Sequence, residues 1–166
     1  IWQSRCITWK LKGQLFSALV LSVMLYNAEV WPLTKADATL IEGTYTRMTR
    51  SVCDRATRKK SDLQQIKMAR VKKTDVLKLL QLPAMPGLLR QKRMRWVGHA
   101  LRRADSDLSK IEVKTELALS SKPWTKCVLS DMKMLNIKNV KELETKSKNR
   151  LNFRKITCSA YTRQAL

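Results

Sequence analysis

The side chains that could catalyse a reaction or hold a metal ion are few and dispersed. Phosphoryl transfer and nuclease chemistry need two or three carboxylates that converge on metal ions, and one close acidic pair here is Asp105 and Asp107. Zinc sites need four cysteine or histidine ligands, usually in close pairs, whereas the single histidine, His99, lies far from every cysteine. We therefore expect no catalytic residue, metal site or cofactor in this chain, and interpret the acidic pair as a turn or a helix cap.

The four cysteines, at positions 6, 53, 127 and 158, have two possible roles. In a secreted protein they could form two disulfides. The sequence carries no signal peptide, however, so we expect free, mostly buried thiols in a reducing compartment, with a nuclear and cytoplasmic location. Because the first residue is Ile1 and not methionine, we also expect the sequence to be a fragment of a longer protein.

The charge balance is strongly basic, with 34 Lys and Arg against 13 Asp and Glu and a formal net charge of +21. Such a charge repels itself in a compact chain unless a polyanion screens it. Nucleic acid is the usual polyanion, and an anionic membrane surface is the less common one. The most apolar run covers residues 15–26, which is shorter than the ~20 residues of a membrane-spanning helix.

The hydrophobic pattern predicts an all-α fold, an irregular bundle of about five to seven helices without strands. The first helical segment lies within residues 3–31 and is apolar nearly all round, which predicts burial. Its main face consists of Leu11, Leu15, Ala18, Leu19, Ser22 and Tyr26. The second helix begins at a capping box formed by Thr34 and Asp37. Its apolar stripe consists of Ile41, Tyr45, Met48 and Val52.

A short helix over 76–82, capped by Thr74 or Asp75 and stopped by Pro83, precedes the most informative helix, residues 86–103. One face of the 86–103 helix is apolar, with Arg93 as an exception within it. The apolar members are Leu89, Trp96, Val97, Ala100 and Leu101. The opposite face carries four basic side chains at steps of three or four and no acid. These are Lys92, Arg95, His99 and Arg102.

The domain organisation that we predict has three parts: a helical domain over 1–104, a polar linker over 105–121 and a small helical extension over 122–166. Pro123 suits the first turn of a helix. The inward positions of that helix are Trp124, Val128, Met132 and Leu135. A last helix begins near Asn139 and includes Val140, Leu143, Leu151 and Phe153.

Ordinary solvated helix faces mix both charge signs, so the uniformly basic face of residues 86–103 favours phosphate contact over a solvated surface. Trp96 could stack on a base, but its position on the apolar face favours core packing. A second basic stretch, within residues 55–73, could contact phosphate or be a solvated charge run. The candidate nucleic-acid-binding residues are Lys92, Arg95, His99, Arg102 and Arg103, with Arg58, Lys59, Lys60, Lys72 and Lys73.

Four segments resemble, in order and rough spacing, the reverse transcriptases of non-LTR (LINE-type) retrotransposons. Residues 19–31, LVLSVMLYNAEVW, resemble the family's LLYGAETW, with Asn27 in place of glycine. Residues 93–102, RMRWVGHALR, resemble RRLRWLGHVLR. Residues 123–132 resemble part of GRPxxRWxDxVxxDL, and residues 149–154 resemble DRxxWR, with Phe153 in place of tryptophan.

In that family this region lies downstream of the catalytic palm and resembles the helical thumb with the C-terminal extension. The resemblance implies that the Mg²⁺-binding aspartates belong to a palm preceding Ile1, and that this fragment is not itself an enzyme. It also implies a template–primer of RNA, DNA or both as partner, together with the palm. Two alternatives remain open: a stand-alone basic helical nucleic-acid-binding protein derived from such a transposable element, and a protein-interaction or membrane-surface module.

Overall fold

The computed structural model describes residues 1–4, 6–57 and 71–159. Within these ranges all regular secondary structure is helical and no strand occurs, so the predicted all-α class is confirmed. The helices, in chain order, are α1 Trp9–Phe16, a π-helical turn Ser17–Leu21, α2 Ser22–Met24, a 3₁₀ turn Ala28–Val30, α3 Lys35–Thr57, α4 Lys73–Leu80, α5 Met85–Leu101, α6 Leu108–Leu119, α7 Pro123–Met134, α8 Val140–Lys148 and α9 Arg150–Ser159. No helix of the described ranges is both long and apolar enough to cross a membrane.

The chain divides into two compact units. The first unit comprises Ile1–Tyr26 with Thr39–Met85, and the second comprises Asn27–Ala38 with Pro86–Leu166. The linker that we predicted over 105–121 is wrong, because this segment forms α6, which buries Val113 and Leu117 in the core of the second unit. Asp107 caps α6 by accepting a hydrogen bond from the Ser109 backbone N–H at 2.9 Å, as the cap interpretation of the acidic pair predicted.

In the first unit, α1 packs against α4 through Gly13. A Cβ atom built on Gly13 would lie 1.8 Å from the Leu80 carbonyl oxygen, so only glycine permits this approach. Because of this contact, the segment buries a different face from the one that we predicted. The buried side chains are Phe16, Leu21 and Leu25. The predicted main face is therefore wrong. Three of its members, Leu11, Leu19 and Tyr26, are exposed, and so is the nearby Val23.

Tyr45 of α3 lies at the centre of the first unit. Its side chain is fully buried, its hydroxyl donates a 2.8 Å hydrogen bond to the Pro83 carbonyl, and its ring centroid lies 6.2 Å from that of Phe16. Val52 is also buried, whereas Met48 is largely exposed, so the predicted stripe of α3 holds in part.

Both ends of α4 differ from the prediction. The helix begins at Lys73, and its N-cap, Lys72, makes no side-chain capping bond, so capping by Thr74 or Asp75 is wrong. It ends at Leu80, and the capping residue that follows, Gln81, has a left-handed φ of 53°. The Leu82 backbone N–H then donates to the Leu77 carbonyl at 2.9 Å, a bond typical of a Schellman motif.

The capping box that precedes α3 is present as predicted. The Thr34 N–H donates to Asp37 Oδ2 at 3.0 Å, and the Asp37 N–H donates to Thr34 Oγ1 at 3.2 Å. A tight turn lies upstream, where Asn27 adopts a left-handed φ of 54°. This conformation is one that glycine adopts most readily and that asparagine tolerates.

The core of the second unit is built from α5 to α9. The apolar face of α5 was predicted correctly, since Leu89, Val97, Ala100 and Leu101 are buried. Trp96 is half-buried and packs against the core. The core contributed by α6 to α9 consists of Val113, Leu117, Val128, Met132, Leu135, Ile137, Leu143 and Phe153.

Pro123 occupies the first turn of α7, as predicted. Asn139 caps α8, because its Oδ1 accepts a hydrogen bond from the Glu142 N–H at 2.7 Å. The single last helix that we predicted is wrong. Asn149 accepts a 3.0 Å hydrogen bond from the Asn152 N–H and thereby starts a separate helix, α9, on which Leu151 is exposed.

All four cysteines are free thiols, as expected from the sequence. Their burial was overestimated: Cys53 is buried, Cys127 and Cys158 are half-buried, and Cys6 is exposed.

Candidate nucleic-acid interface

A basic cleft of about 500 Å³ opens in the second unit, and α5 and α9 supply its walls. Four of its lining side chains are arginines, one is histidine, and none is a carboxylate. The complete lining consists of Arg95, His99, Arg102, Arg150, Phe153, Arg154 and Thr157. Three of these, Arg95, His99 and Arg102, were predicted from the sequence as nucleic-acid-binding residues.

Helical spacing places the charged side chains on facing walls. Arg95 and His99 are four residues apart on α5, and both are exposed on the side opposite the buried Val97. Arg150 and Arg154 have the same separation on α9 and are also exposed. Residues four apart lie one above the other on a helix, so each wall presents a short column of basic side chains.

Gly98 and Phe153 set the separation of the two walls. Phe153 is buried, and a Cβ atom added to Gly98 would lie 2.3 Å from Phe153 Cε1. The aromatic ring thus packs directly on the α5 backbone at Gly98. This close approach brings α9 near enough for its arginines to share a cleft with those of α5.

Arg102 is the most constrained cation of the cleft. Its Nη1 donates a 3.1 Å hydrogen bond to the Ser147 carbonyl at the end of α8. Its Nε is buried and has no hydrogen-bond partner among the described residues. Burial, and then the positive charge of Arg150, lowers the pKa of the Arg102 guanidinium. An anion in the cleft would relieve the repulsion between the positive charges of Arg102 and Arg150.

The far end of the cleft adjoins Cys158. Its Sγ accepts a 3.1 Å hydrogen bond from Gln91 Nε2 and lies 4.0 Å from Arg95 Nη2. The contact holds Arg95 beside α9 without neutralising its charge.

The other predicted residues lie elsewhere. Lys92 is half-buried and does not line the cleft. Arg103 is exposed and pairs with Asp107 at 3.1 Å, so its charge is already compensated. In the first unit, Lys72 is exposed and Lys73 pairs with Glu42. Arg58, Lys59 and Lys60 fall outside the described residues.

Two cationic residues of α5 that were not proposed for binding are used inside the protein. Arg90 Nε and Arg93 Nε lie 3.3 and 2.7 Å from the two carboxylate oxygens of Asp131 on α7. All three side chains are at least nine-tenths buried. This pairing explains why Arg93 interrupts the apolar face of α5, and it fixes α5 against α7.

Sequence analysis missed Arg150, Arg154 and Thr157. The signal was present in part, since residues 149–154 were singled out by the resemblance and the two arginines have i, i+4 spacing. Periodicity within one helix, however, does not identify the helix that faces it across a cleft.

Arginine guanidinium groups present several N–H donors in a planar fork that matches phosphate and carboxylate oxygens. The cleft is open, holds no competing carboxylate and collects cations from two helices, so it can bind an extended phosphodiester backbone. Within the described ranges, no group of three or more His, Cys, Asp or Glu side chains could hold a metal ion.

Comparison of the chain with protein-family models, with curated proteins and with solved structures gives no match.

Proposed function

We propose that this chain binds nucleic acid without catalysing a reaction, and that it is the thumb and C-terminal region of a LINE-type reverse transcriptase. The observation that carries the binding proposal is the basic cleft, in which four arginines face one another without a carboxylate. Its ligand is the sugar–phosphate backbone of an RNA or DNA template–primer. Contacts to the backbone bind any sequence.

The family assignment is supported by where the resembling segments lie. Residues 93–102 supply Arg95, His99 and Arg102 on one wall of the cleft, and residues 149–154 supply Arg150 and Arg154 on the other. The 123–132 segment supplies the carboxylate that pairs with two arginines of α5. Three of the segments that carry the resemblance therefore contribute to a single site and its support.

A second feature favours a protein partner for the first unit. An apolar row that includes Leu11, Leu19, Val23 and Tyr26 is exposed, with Val23 and Tyr26 at 75% and 80% of full exposure. Exposed patches of this kind mark protein interfaces or aggregation sites. Within the proposed function, this row packs on the palm. A protein-interaction module is the alternative function that the same row supports.

Gel-shift titration of the full chain with an RNA–DNA hybrid, across a series of salt concentrations, tests the binding proposal. We expect retardation at low salt that weakens steadily as salt increases. Absence of retardation at low salt would refute the proposal. Stronger binding to anionic vesicles than to the hybrid would instead favour a membrane-surface module.

The reading frame upstream of Ile1 separates the two origins. A palm-like Tyr-x-Asp-Asp sequence in frame supports the reverse transcriptase, whereas a promoter and start codon support a stand-alone binding protein. Either origin keeps the function of the cleft unchanged.

A further inference from the structure

The second unit contains another cavity, of about 200 Å³, that the proposed nucleic-acid binding does not use. We call it the indole pocket, because Trp96 and Trp124 form two of its walls. The complete lining consists of Val30, Trp96, Glu112, Val113, Glu116, Lys122 and Trp124. It combines two aromatic rings with two carboxylates in a chain whose net charge is +21.

The two indoles are held in a fixed arrangement. Their ring planes are at 90° and their centroids are 5.5 Å apart, so the rings form perpendicular, adjacent walls. Trp124 Nε1 donates a 2.8 Å hydrogen bond to the Glu29 carbonyl, which fixes the orientation of that ring. Indole faces carry negative electrostatic potential and attract cations, most strongly when water is excluded.

The carboxylates lie one helical turn apart on α6. Glu116 is mostly buried, and its Oε1 accepts a contact from the Lys122 ammonium. Its other oxygen, Oε2, is buried and has no hydrogen-bond partner among the described residues. A buried carboxylate oxygen without a donor is costly, and a cation in the pocket would offset part of that cost through its charge, without donating a hydrogen bond. Glu112 is exposed at the rim and adds a second negative charge.

The chain's own ammonium group already occupies the rim. Contact with Glu116, and then the charges of Glu116 and Glu112, raise the pKa of Lys122. The Lys122 side chain is 61% exposed, so it meets the Glu116 carboxylate at the solvent-facing rim of the pocket. Lys122 thus shows which charge the pocket accepts and would compete with a ligand of the same charge.

We propose that the indole pocket binds an alkylammonium cation, with its apolar substituents against Trp96 and Trp124 and its charge beside Glu116. Quaternary ammonium groups fit this chemistry best, because they are large, weakly hydrated cations that aromatic cages recognise. The group could belong to a methylated lysine side chain or to a small free amine. The shared chemistry is the alkylated ammonium.

The test compares choline with 3,3-dimethyl-1-butanol, its neutral carbon isostere, on the full chain. The indole N–H signals of Trp96 and Trp124 in ¹H–¹⁵N spectra, assigned among the five tryptophans with Trp96→Phe and Trp124→Phe, report occupancy of the pocket. We expect saturable shifts with choline and none with the alcohol at equal concentration. Equal shifts of these signals with choline and with the alcohol would overturn the proposal. The absence of a shift with both choline and a trimethyl-lysine peptide would also overturn it. Tighter binding of the peptide than of choline identifies a protein side chain as the source, and the reverse identifies a free amine.

Substitutions separate charge recognition from folding. Glu116→Gln should weaken choline binding about tenfold, and Lys122→Met, which removes the internal competitor, should strengthen it. Glu142→Gln, on α8 and paired with Lys146, is the matched control and should leave the affinity unchanged. If Glu116→Gln fails to fold, the exposed Glu112→Gln takes its place, with a smaller weakening expected. Equal affinity in the folded glutamate variants and the control would overturn the proposal.

Discussion

Gly98→Ala is the substitution that most directly tests how α5 and α9 form the cleft. The added Cβ would lie 2.3, 2.9 and 3.1 Å from Cε1, Cδ1 and Cζ of the buried Phe153. Ordinary contact between such atoms needs 3.5 Å or more, so the ring or the whole of α9 must shift. We expect this shift to separate the arginines on the two walls of the cleft.

Two opposing terms set the size of the effect. Alanine is favoured over glycine inside a helix by about 1 kcal/mol. Overpacking a filled core costs ~1–3 kcal/mol, and three close contacts with one ring put this case at the upper end. The net expectation is a loss of about 2 kcal/mol in the free energy of unfolding. Gly43→Ala, at an exposed position of α3 with no atom within 4 Å of the new Cβ, is the control and should gain about 1 kcal/mol.

Urea unfolding followed by circular dichroism measures both variants. Phe153→Leu removes the ring, so Gly98→Ala should be much less destabilising in that background, as a double-mutant cycle would show. Stabilisation by Gly98→Ala equal to that of Gly43→Ala would refute the packing described here.

Three further predictions address other parts of the structure. Asp131→Asn should destabilise the chain by ~3–5 kcal/mol in urea unfolding, because it removes the carboxylate from two buried arginines; a loss below 1 kcal/mol would contradict the buried pairing. Hydrogen bonds from the Thr34 side chain, and then its backbone, lower the pKa of Asp37, so the stability they contribute is lost as the pH falls through that pKa. Thr34→Ala should move the Asp37 pKa back up in an NMR titration, and an unchanged pKa would count against the capping box. Arg95→Glu, at an exposed position that lines the cleft, should weaken binding of an RNA–DNA hybrid without lowering the melting temperature; unchanged binding would count against the cleft, and a lowered melting temperature would show that this side chain supports the fold.

The sequence predicted the C-terminal half of α5 well, because its buried apolar positions and its basic positions lie on opposite sides of the helix. Four of the predicted apolar positions are buried in the core, and three of the four predicted basic positions line the cleft. Arg93, the exception within the predicted apolar face, is buried because it pairs with the buried Asp131. Where apolar and charged residues lie on opposite sides of a helix, only one rotation of the helix about its axis buries the apolar side.

The prediction of the buried face of the first segment failed for the opposite reason. A helix that is apolar nearly all round has no pattern to select its buried side, and the selection came from Gly13, whose missing side chain lets α1 meet the Leu80 carbonyl. In α6 the buried stripe is short, formed by Val113 and Leu117, while Leu108 and Ile111 are exposed. The polar composition of residues 105–121 therefore led to the wrong prediction of a linker.

The cleft itself was half predictable. The α5 wall followed from periodicity, but the contribution of α9 depends on a tertiary contact, Phe153 on Gly98, that no local pattern encodes. Asn149, which starts α9 as a separate helix, was also missed, although its capping bond is a local feature.

The salt dependence of binding tests the central claim most directly. Arg150→Gln with Arg154→Gln removes two charges from the cleft, and Lys133→Gln with Lys141→Gln removes two exposed charges that do not line it. Fluorescence anisotropy with an RNA–DNA hybrid gives the slope of log Kobs against log salt concentration. If the cleft binds the phosphate backbone, the arginine pair should reduce the magnitude of that slope by about 1–2, and the lysine pair should leave it unchanged. Equal slopes for the two double variants would show that the chain binds through its overall charge and not through the cleft.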